Sequence, residues 1–207
     1  GYAAYSNYGD DNNLFSQYLN SFENTYDNQL LPQLNSRRLI FYPFLVELPD
    51  NVEKVCITES DLWDYPGMFL QSNPDSFSMK GVWAPLPEKT EQGGHNQLQQ
   101  IVMKRYDYIA RTNGKRTFPW RIFTITEQDR ELLDNDLVYL TATPSLLKDI
   151  SWIKPGKVAW DWWNDWNISG VDFRAGINNE TYKYYIDFAA KNQIEYVILD
   201  EGWAVTQ

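Results

Sequence analysis

Two short acidic stretches hold the residue types best suited to chemistry. The first is Trp160–Trp166, WDWWNDW, in which Asp161, Asn164 and Asp165 sit among tryptophans. The second is Leu199–Trp203, LDEGW, with Asp200 and Glu201 adjacent and Trp203 just beyond. Carboxylates in such places serve as acids, bases, nucleophiles or acceptors for hydroxyl groups. Cleavage of a glycosidic bond uses two carboxyls, about 5–5.5 Å apart for retention or about 6.5–9.5 Å for inversion. Adjacent residues on a strand point to opposite faces. Asp200 and Glu201 therefore do not both act on one bond unless the strand ends there, and a working pair comes from different strands. A carboxylate capping a following helix is the alternative for both. WDWWNDW itself admits three readings: a packed core, a stacking platform for nucleic acid, or the floor of a sugar site.

Bulk properties separate these. The chain of 207 residues carries a net charge of −10 and has a pI near 4.6. A phosphate backbone needs a basic face, so nucleic acid is disfavoured. Aromatic residues reach 16%, with nine Trp and 14 Tyr, and aromatic platforms without positive charge suit neutral rings such as sugars. The single cysteine, Cys56, excludes an internal disulfide and a CxxC zinc site; in an apolar strand it reads as a buried, inert thiol. The only histidine, His95, lies in a Gly-Gly-His-Asn loop and reads as solvated, which sets a Ser-His-Asp triad low. No run approaches the roughly 18–20 apolar residues of a membrane helix, and no signal peptide is visible at the start.

The elements that must position these residues fall into two regions, 1–150 and 151–207. Residues 1–36 are polar and Asn/Tyr-rich, and predict irregular structure with short strands. Strands follow at Leu39–Leu48, interrupted by Pro43, then at Val52–Thr58, Met68–Leu70, Gln99–Arg111, Arg121–Thr126 and Val138–Thr141. Asn113-Gly114 predicts a hairpin turn, and Gln128–Asn135 a polar turn or short helix. Strands at such intervals predict a β-sandwich. After the Pro-Gly break in WIKPGK, Val158–Trp163 predicts a strand and Asn178/Asn179 cap a helix to about Asn192. Tyr182, Tyr185, Ile186 and Ala189 form its apolar face. Ile194–Leu199 is a near-continuous apolar strand. Together they make a βαβ unit, the opening of a (β/α)8 barrel that takes about 250 residues when whole. The chain accordingly reads as a piece of a larger protein, inert by itself, whose open strands favour self-association or a partner completing the sheet.

Alternation along the first barrel strand places Ala159, Asp161 and Trp163 on one face and Val158, Trp160 and Trp162 on the other. Assigning the Trp160 face to the covering helices leaves Asp161 facing the barrel interior, near its mouth. A buried charge needs a partner or ligand, which marks Asp161 as a site residue. Barrel active sites lie at the C-terminal strand ends, where Asp161–Asp165 and Asp200–Trp203 fall.

The segment KPGKVAWDWWNDWNISGVDFRAGINNETYKYYIDFAAKNQIEYVILDEGW resembles the start of the catalytic barrel of glycoside hydrolase family 97. Upstream, RLIFYPFLVEL, ITESDLWDYPGM, FPWRIFTI and SWIKPGK resemble the end of that family's N-terminal β-supersandwich. The likeness runs from about Arg38 to Trp203, and residues 1–37 fit it loosely. It implies a mixed β and α/β fold: part of a β-supersandwich, then the first β-α-β unit of a truncated TIM barrel. It also implies a calcium-dependent, periplasmic exo-α-glycosidase acting on an oligosaccharide with a terminal α-linked hexose. WDWWN, GVDF.AGIN and LDEGW are more similar to the retaining, galactose-specific branch than to the inverting α-glucosidases, which lack the first-strand aspartate and read VEGW. By the same resemblance Asp200 and Glu201 bind sugar hydroxyls. Asp161, Asn164, Trp163 and Trp203 line the same subsite, and Glu59 in ITESDLWDY is a calcium ligand. On the residues alone, Glu59, Asp61 and Asp64 are an ordinary acidic loop. The nucleophile and acid/base are expected beyond Gln207. Two alternatives stay open: an inverting α-glucosidase of the same family, and a carbohydrate-binding β-sandwich without chemistry.

Overall fold

The structure is a computed structural model that describes residues 1–6, 11–19, 21–49, 52–74, 76–94, 97–200 and 202–203. It divides into two units, Gly1–Pro144 and Ser145–Gln207. The first is β-rich. Its elements are β1 (Tyr2–Ala3), α1 (Leu14–Gln17), β2 (Asp27–Asn28), β3 (Phe44–Glu47), β4 (Lys54–Ser60), β5 (Met68–Ser72), β6 (Met79–Trp83), β7 (Pro87–Gly93), β8 (Gln99–Arg105), β9 (Trp120–Thr126), α2 (Arg130–Leu133) and α3 (Leu137–Thr141). Five strands form an antiparallel sheet in the order β2-β1-β3-β4-β9, while β5–β6 and β7–β8 are separate hairpins.

Packing follows the two-residue period of the strands. Along β9, Ile122, Thr124 and Thr126 are buried while Phe123 and Ile125 are exposed. The core gathers Phe44 and Ile40 with Tyr5, Leu34, Met68 and Leu70. Ile40 bridges to both Tyr5 and Leu70, which ties the β5–β6 hairpin to the core segment. Gln17 is fully buried yet satisfied: its Oε1 accepts from Leu39 N–H at 2.8 Å and its Nε2 donates to Arg37 O at 2.9 Å. Cys56, expected to be buried, is a half-buried free thiol whose pKa burial pushes up. His95 lies outside the described residues.

Several sequence expectations are corrected. Only Phe44–Glu47 of the Leu39–Leu48 run pairs as a strand, after Pro43. Asn113-Gly114 closes no hairpin, because β8 pairs with β7 and β9 pairs with β4 from Lys54↔Thr126 to Ser60↔Trp120. A turn signal reports local bending and is silent about distant partners. Val138–Thr141 lies in helix α3 rather than a strand, with Leu140 N–H donating to Asp136 O at 2.9 Å; a short apolar run does not distinguish the two. Strand β7, PEKTEQG, is exposed over nearly its whole length and carries no hydrophobic alternation to read.

The second unit contains β10 (Val158–Trp160), a 3-10 turn at Trp162–Asn164, α4 (Asn179–Lys191) and β11 (Tyr196–Ile198). Strands β10 and β11 are parallel neighbours, with Val158↔Tyr196, Ala159↔Val197 and Trp160↔Ile198 in register. Helix α4 starts where Asn178 Oδ1 accepts from Thr181 N–H at 2.9 Å. Glu180 in its first turn and Lys191 in its last suit the helix dipole. Thr181, Tyr185 and Ala189 are its buried face, whereas Ile186, expected in the core, is half exposed. Ala159, Tyr185 and Ala189 form the small core, with Ile168, Ile194 and Val197 against it.

Candidate functional site

That core reverses the faces expected for β10. Ala159 and Val197 pack toward α4, so the Ala159 side of the strand is the helix-covered one. Val158, Trp160, Tyr196 and Ile198 are exposed on the other. Asp161 is thus not on the open face. It is fully buried, and its Oδ1 accepts from Asp200 N–H at 3.1 Å, linking the C-terminal ends of the two parallel strands. Its own carbonyl accepts from Trp166 N–H at 2.9 Å, folding the following loop back. Asp161 Oδ2, Tyr182 Oη and Trp166 Nε1 are buried without a hydrogen-bond partner. Burial, with the Asp161 charge adding, pushes the Tyr182 phenol up; burial likewise raises Tyr185. The physical reason for the reversal is size. A small alanine lets the Tyr185 ring seat against the strand, while the bulky indole is accommodated on the open side.

Trp160, read as packing under helices, instead reaches the acidic end of β11. Its Nε1 donates to Asp200 Oδ2 at 2.7 Å. Trp162 is also not under a helix; its ring meets Trp166 edge-on with centroids 4.6 Å apart. Trp163 is largely exposed and borders a groove of about 350 Å³ with Trp160, Tyr185 and Phe188. Asn164 is engaged by α4 and by its own loop: Oδ1 accepts from Tyr185 Oη at 2.9 Å and Nδ2 donates to Asn167 O at 2.8 Å. Trp203 is exposed. Gly202 before it has φ +101°, and a Cβ there would stand 2.6 Å from Ile177 Cδ1, so the LDEGW turn requires glycine. Glu201 lies outside the described residues. The structure therefore brings Asp161, Asp200 and Trp160 together; of these, only Trp160 was missed as a site residue. Alternation grouped Val158 with Trp160 and Ile198 with Asp200, but only the Trp160↔Ile198 register puts the two sets on one face.

In the first unit, Glu59 sits on β4 with its side chain only 4% exposed. Oε2 accepts from Met68 N–H at 2.8 Å. Oε1 stands 3.0 Å from Arg121 Nη1, an ion pair whose angle is too bent for a hydrogen bond, which leaves that oxygen buried without a donor. Arg121 also lies over the rings of Trp83 and Tyr65. Tyr42 is beside the carboxylate; burial and then the Glu59 charge push its phenol well above the usual range. A cavity of about 260 Å³ opens here between Tyr42, Glu59, Leu62, Gly67 and Phe69. A calcium ion takes six to eight oxygens. Among the described residues no group of three His, Cys, Asp or Glu comes together. The donor set here is one carboxylate, and Glu59 Oε1, without a hydrogen-bond donor, has the chemistry of a single calcium ligand.

Comparison with known proteins follows the same division. Residues 3–144 match the family description glycosyl-hydrolase 97 N-terminal, and residues 162–207 match glycoside hydrolase 97. A retaining alpha-galactosidase of Bacteroides thetaiotaomicron is 56% identical over 197 residues, which is 95% of this chain and 30% of that protein. A probable retaining alpha-galactosidase of Streptomyces bingchenggensis is 28% identical over 141 residues, 61% of this chain and 20% of its own length. A glycoside hydrolase family 97 enzyme of Pseudoalteromonas sp. strain K8, solved with acarbose, aligns at TM-score 0.61 and 26% identity over 84% of this chain and 23% of its own. Its E480Q form with panose aligns at 0.62 and 25% identity, over 87% of this chain and 25% of its own. The chain thus spans less than a third of the length of the curated relatives it matches.

Proposed function

The chain belongs to glycoside hydrolase family 97, and on that premise we propose that it is part of a retaining exo-α-galactosidase that removes terminal α-linked galactose from oligosaccharides. The observation that carries this reading is the identity, over nearly the whole chain, to the Bacteroides relative bearing that name. The parallel β10–β11 pair with Asp161 and Asp200 at one end supports it. In this reading the first unit belongs to a β-supersandwich and the second opens a (β/α)8 barrel. The nucleophile and acid/base come from other barrel strands, and retention calls for a separation of about 5–5.5 Å between them. Asp200 and Glu201 accept hydroxyls of the bound sugar, and Trp203 forms a wall. Asp161 acts from behind, holding the backbone of Asp200. Glu59 supplies one carboxylate to a calcium ion, whose charge would polarise substrate oxygens when bound. Export to the periplasm completes the reading.

An inverting α-glucosidase is the second reading, favoured by the acarbose and panose complexes of the Pseudoalteromonas enzyme. Kinetics of the full-length protein separate the two. The galactosidase reading expects p-nitrophenyl α-galactoside to be cleaved faster than the α-glucoside, and a calcium chelator to suppress the rate. A faster glucoside overturns the galactose assignment; indifference to chelation removes Glu59 as a metal ligand.

A further inference from the structure

We propose that Trp160 is a positioning residue for Asp200: its indole N–H fixes the carboxylate that accepts a sugar hydroxyl, and so sets selectivity for a hexose bearing that hydroxyl. The inference rests on the reading of Asp200 as a sugar-hydroxyl acceptor given above. The parallel register places Trp160 beside Ile198, and Asp200 lies two residues further along the chain, on the same face. The two side chains meet there, with Nε1 donating to Oδ2 at 2.7 Å. At the same time Asp161 Oδ1 holds Asp200 N–H at 3.1 Å.

An aspartate is free to turn about its terminal torsion, which has broad, roughly two-fold preferences. Here the backbone is held from the buried side and Oδ2 from the open side, so the carboxylate plane is set before any ligand arrives. Indole Nε1–H is a donor only. It cannot take the hydroxyl's proton itself, and it leaves Asp200 as the acceptor. Trp160 is 38% exposed, so its ring also offers an apolar surface next to the acidic group. A hydrogen bond to a charged group placed in advance is the arrangement that discriminates a hydroxyl from its absence. Phenylalanine keeps a ring but no donor, so its substitution isolates the N–H.

The test uses the full-length protein with Trp160→Phe and Asp200→Ala. The substrates are p-nitrophenyl α-galactoside and its 4-deoxy and 6-deoxy analogues. Asp200→Ala should erase discrimination against one analogue, which identifies the hydroxyl that Asp200 accepts. Trp160→Phe should then lower kcat/KM for the galactoside roughly tenfold, the size of one charge-assisted hydrogen bond, and leave that same analogue nearly untouched. Equal losses on all three substrates, or no loss on any, overturn the positioning role. Intact discrimination in Asp200→Ala overturns the functional reading itself, a separate result. Should Trp160→Phe fail to fold, benzothienylalanine at position 160 keeps the shape of the indole without its N–H and gives the same comparison.

Discussion

Replacing Arg121 by methionine removes the only cation that stands against the Glu59 carboxylate among the described residues. Glu59 is sealed, with its side chain 4% exposed, while the Arg121 side chain retains 25% exposure. Losing one partner of a buried ion pair costs about 3–5 kcal/mol, because the other charge is left without compensation. Arg121 is partly solvated, and Met68 N–H continues to serve Oε2 at 2.8 Å, so the expected loss lies at the lower end, about 3 kcal/mol. Its stacking on Trp83 and Tyr65, 5.5 and 5.8 Å from their centroids, adds about 0.5 kcal/mol. Glu59→Gln alone should cost less, about 1–2 kcal/mol. The double variant should cost about as much as Glu59→Gln plus the lost ring stacking, giving a coupling energy of about 3 kcal/mol. Urea unfolding followed by intrinsic fluorescence measures all three, read on the transition that Glu59→Gln shifts, since two units need not unfold together. If Glu59 is the calcium ligand proposed above, millimolar calcium should narrow the Arg121→Met penalty by supplying a second cation to the carboxylate. A loss below about 1 kcal/mol with additive single effects would refute the reasoning that Arg121 holds Glu59.

The Tyr42 hydroxyl is buried without a hydrogen-bond partner, so Tyr42→Phe should be neutral or stabilising by about 1 kcal/mol in urea unfolding. Its raised phenol pKa contributes stability that is full below about pH 10, the unfolded value, and fades as pH rises beyond it; the Phe variant should show a shallower alkaline loss. Asp161→Ala should speed amide hydrogen exchange at Asp200 about tenfold or more, whereas Asp161→Asn, which retains an acceptor oxygen, should leave that amide protected. Gly202→Ala meets both a left-handed backbone and Ile177; a cost of about 1–2 kcal/mol is expected in thermal unfolding, with Ile177→Ala relieving only the part due to contact.

What was legible in the sequence was what is local. Asn178 and the Thr181, Tyr185, Ala189 spacing specify α4 through a cap and one apolar face. The apolar run before Asp200 specifies a strand. The β4–β9 pairing joins residues sixty or more positions apart, and no turn signal encodes it. The faces of β10 were legible as two alternating sets, but not which set is covered. Hydrophobicity assigned the tryptophans to the helix side, and packing chose Ala159 because a small residue admits the Tyr185 ring. The indole N–H of Trp160 then found its acceptor across the sheet in Asp200, a contact that depends on the parallel register. For Glu59 the acidic motif was visible, whereas its burial against Arg121 comes from the β4–β9 register, where the two stand directly opposite.

The measurement closest to the central claim is a time-resolved proton NMR spectrum of the full-length protein hydrolysing an α-galactoside. The account predicts that α-galactose is released first and mutarotates afterwards to the β-anomer, since retention conserves configuration. First release of the β-anomer, or cleavage confined to the matching α-glucoside, would contradict it.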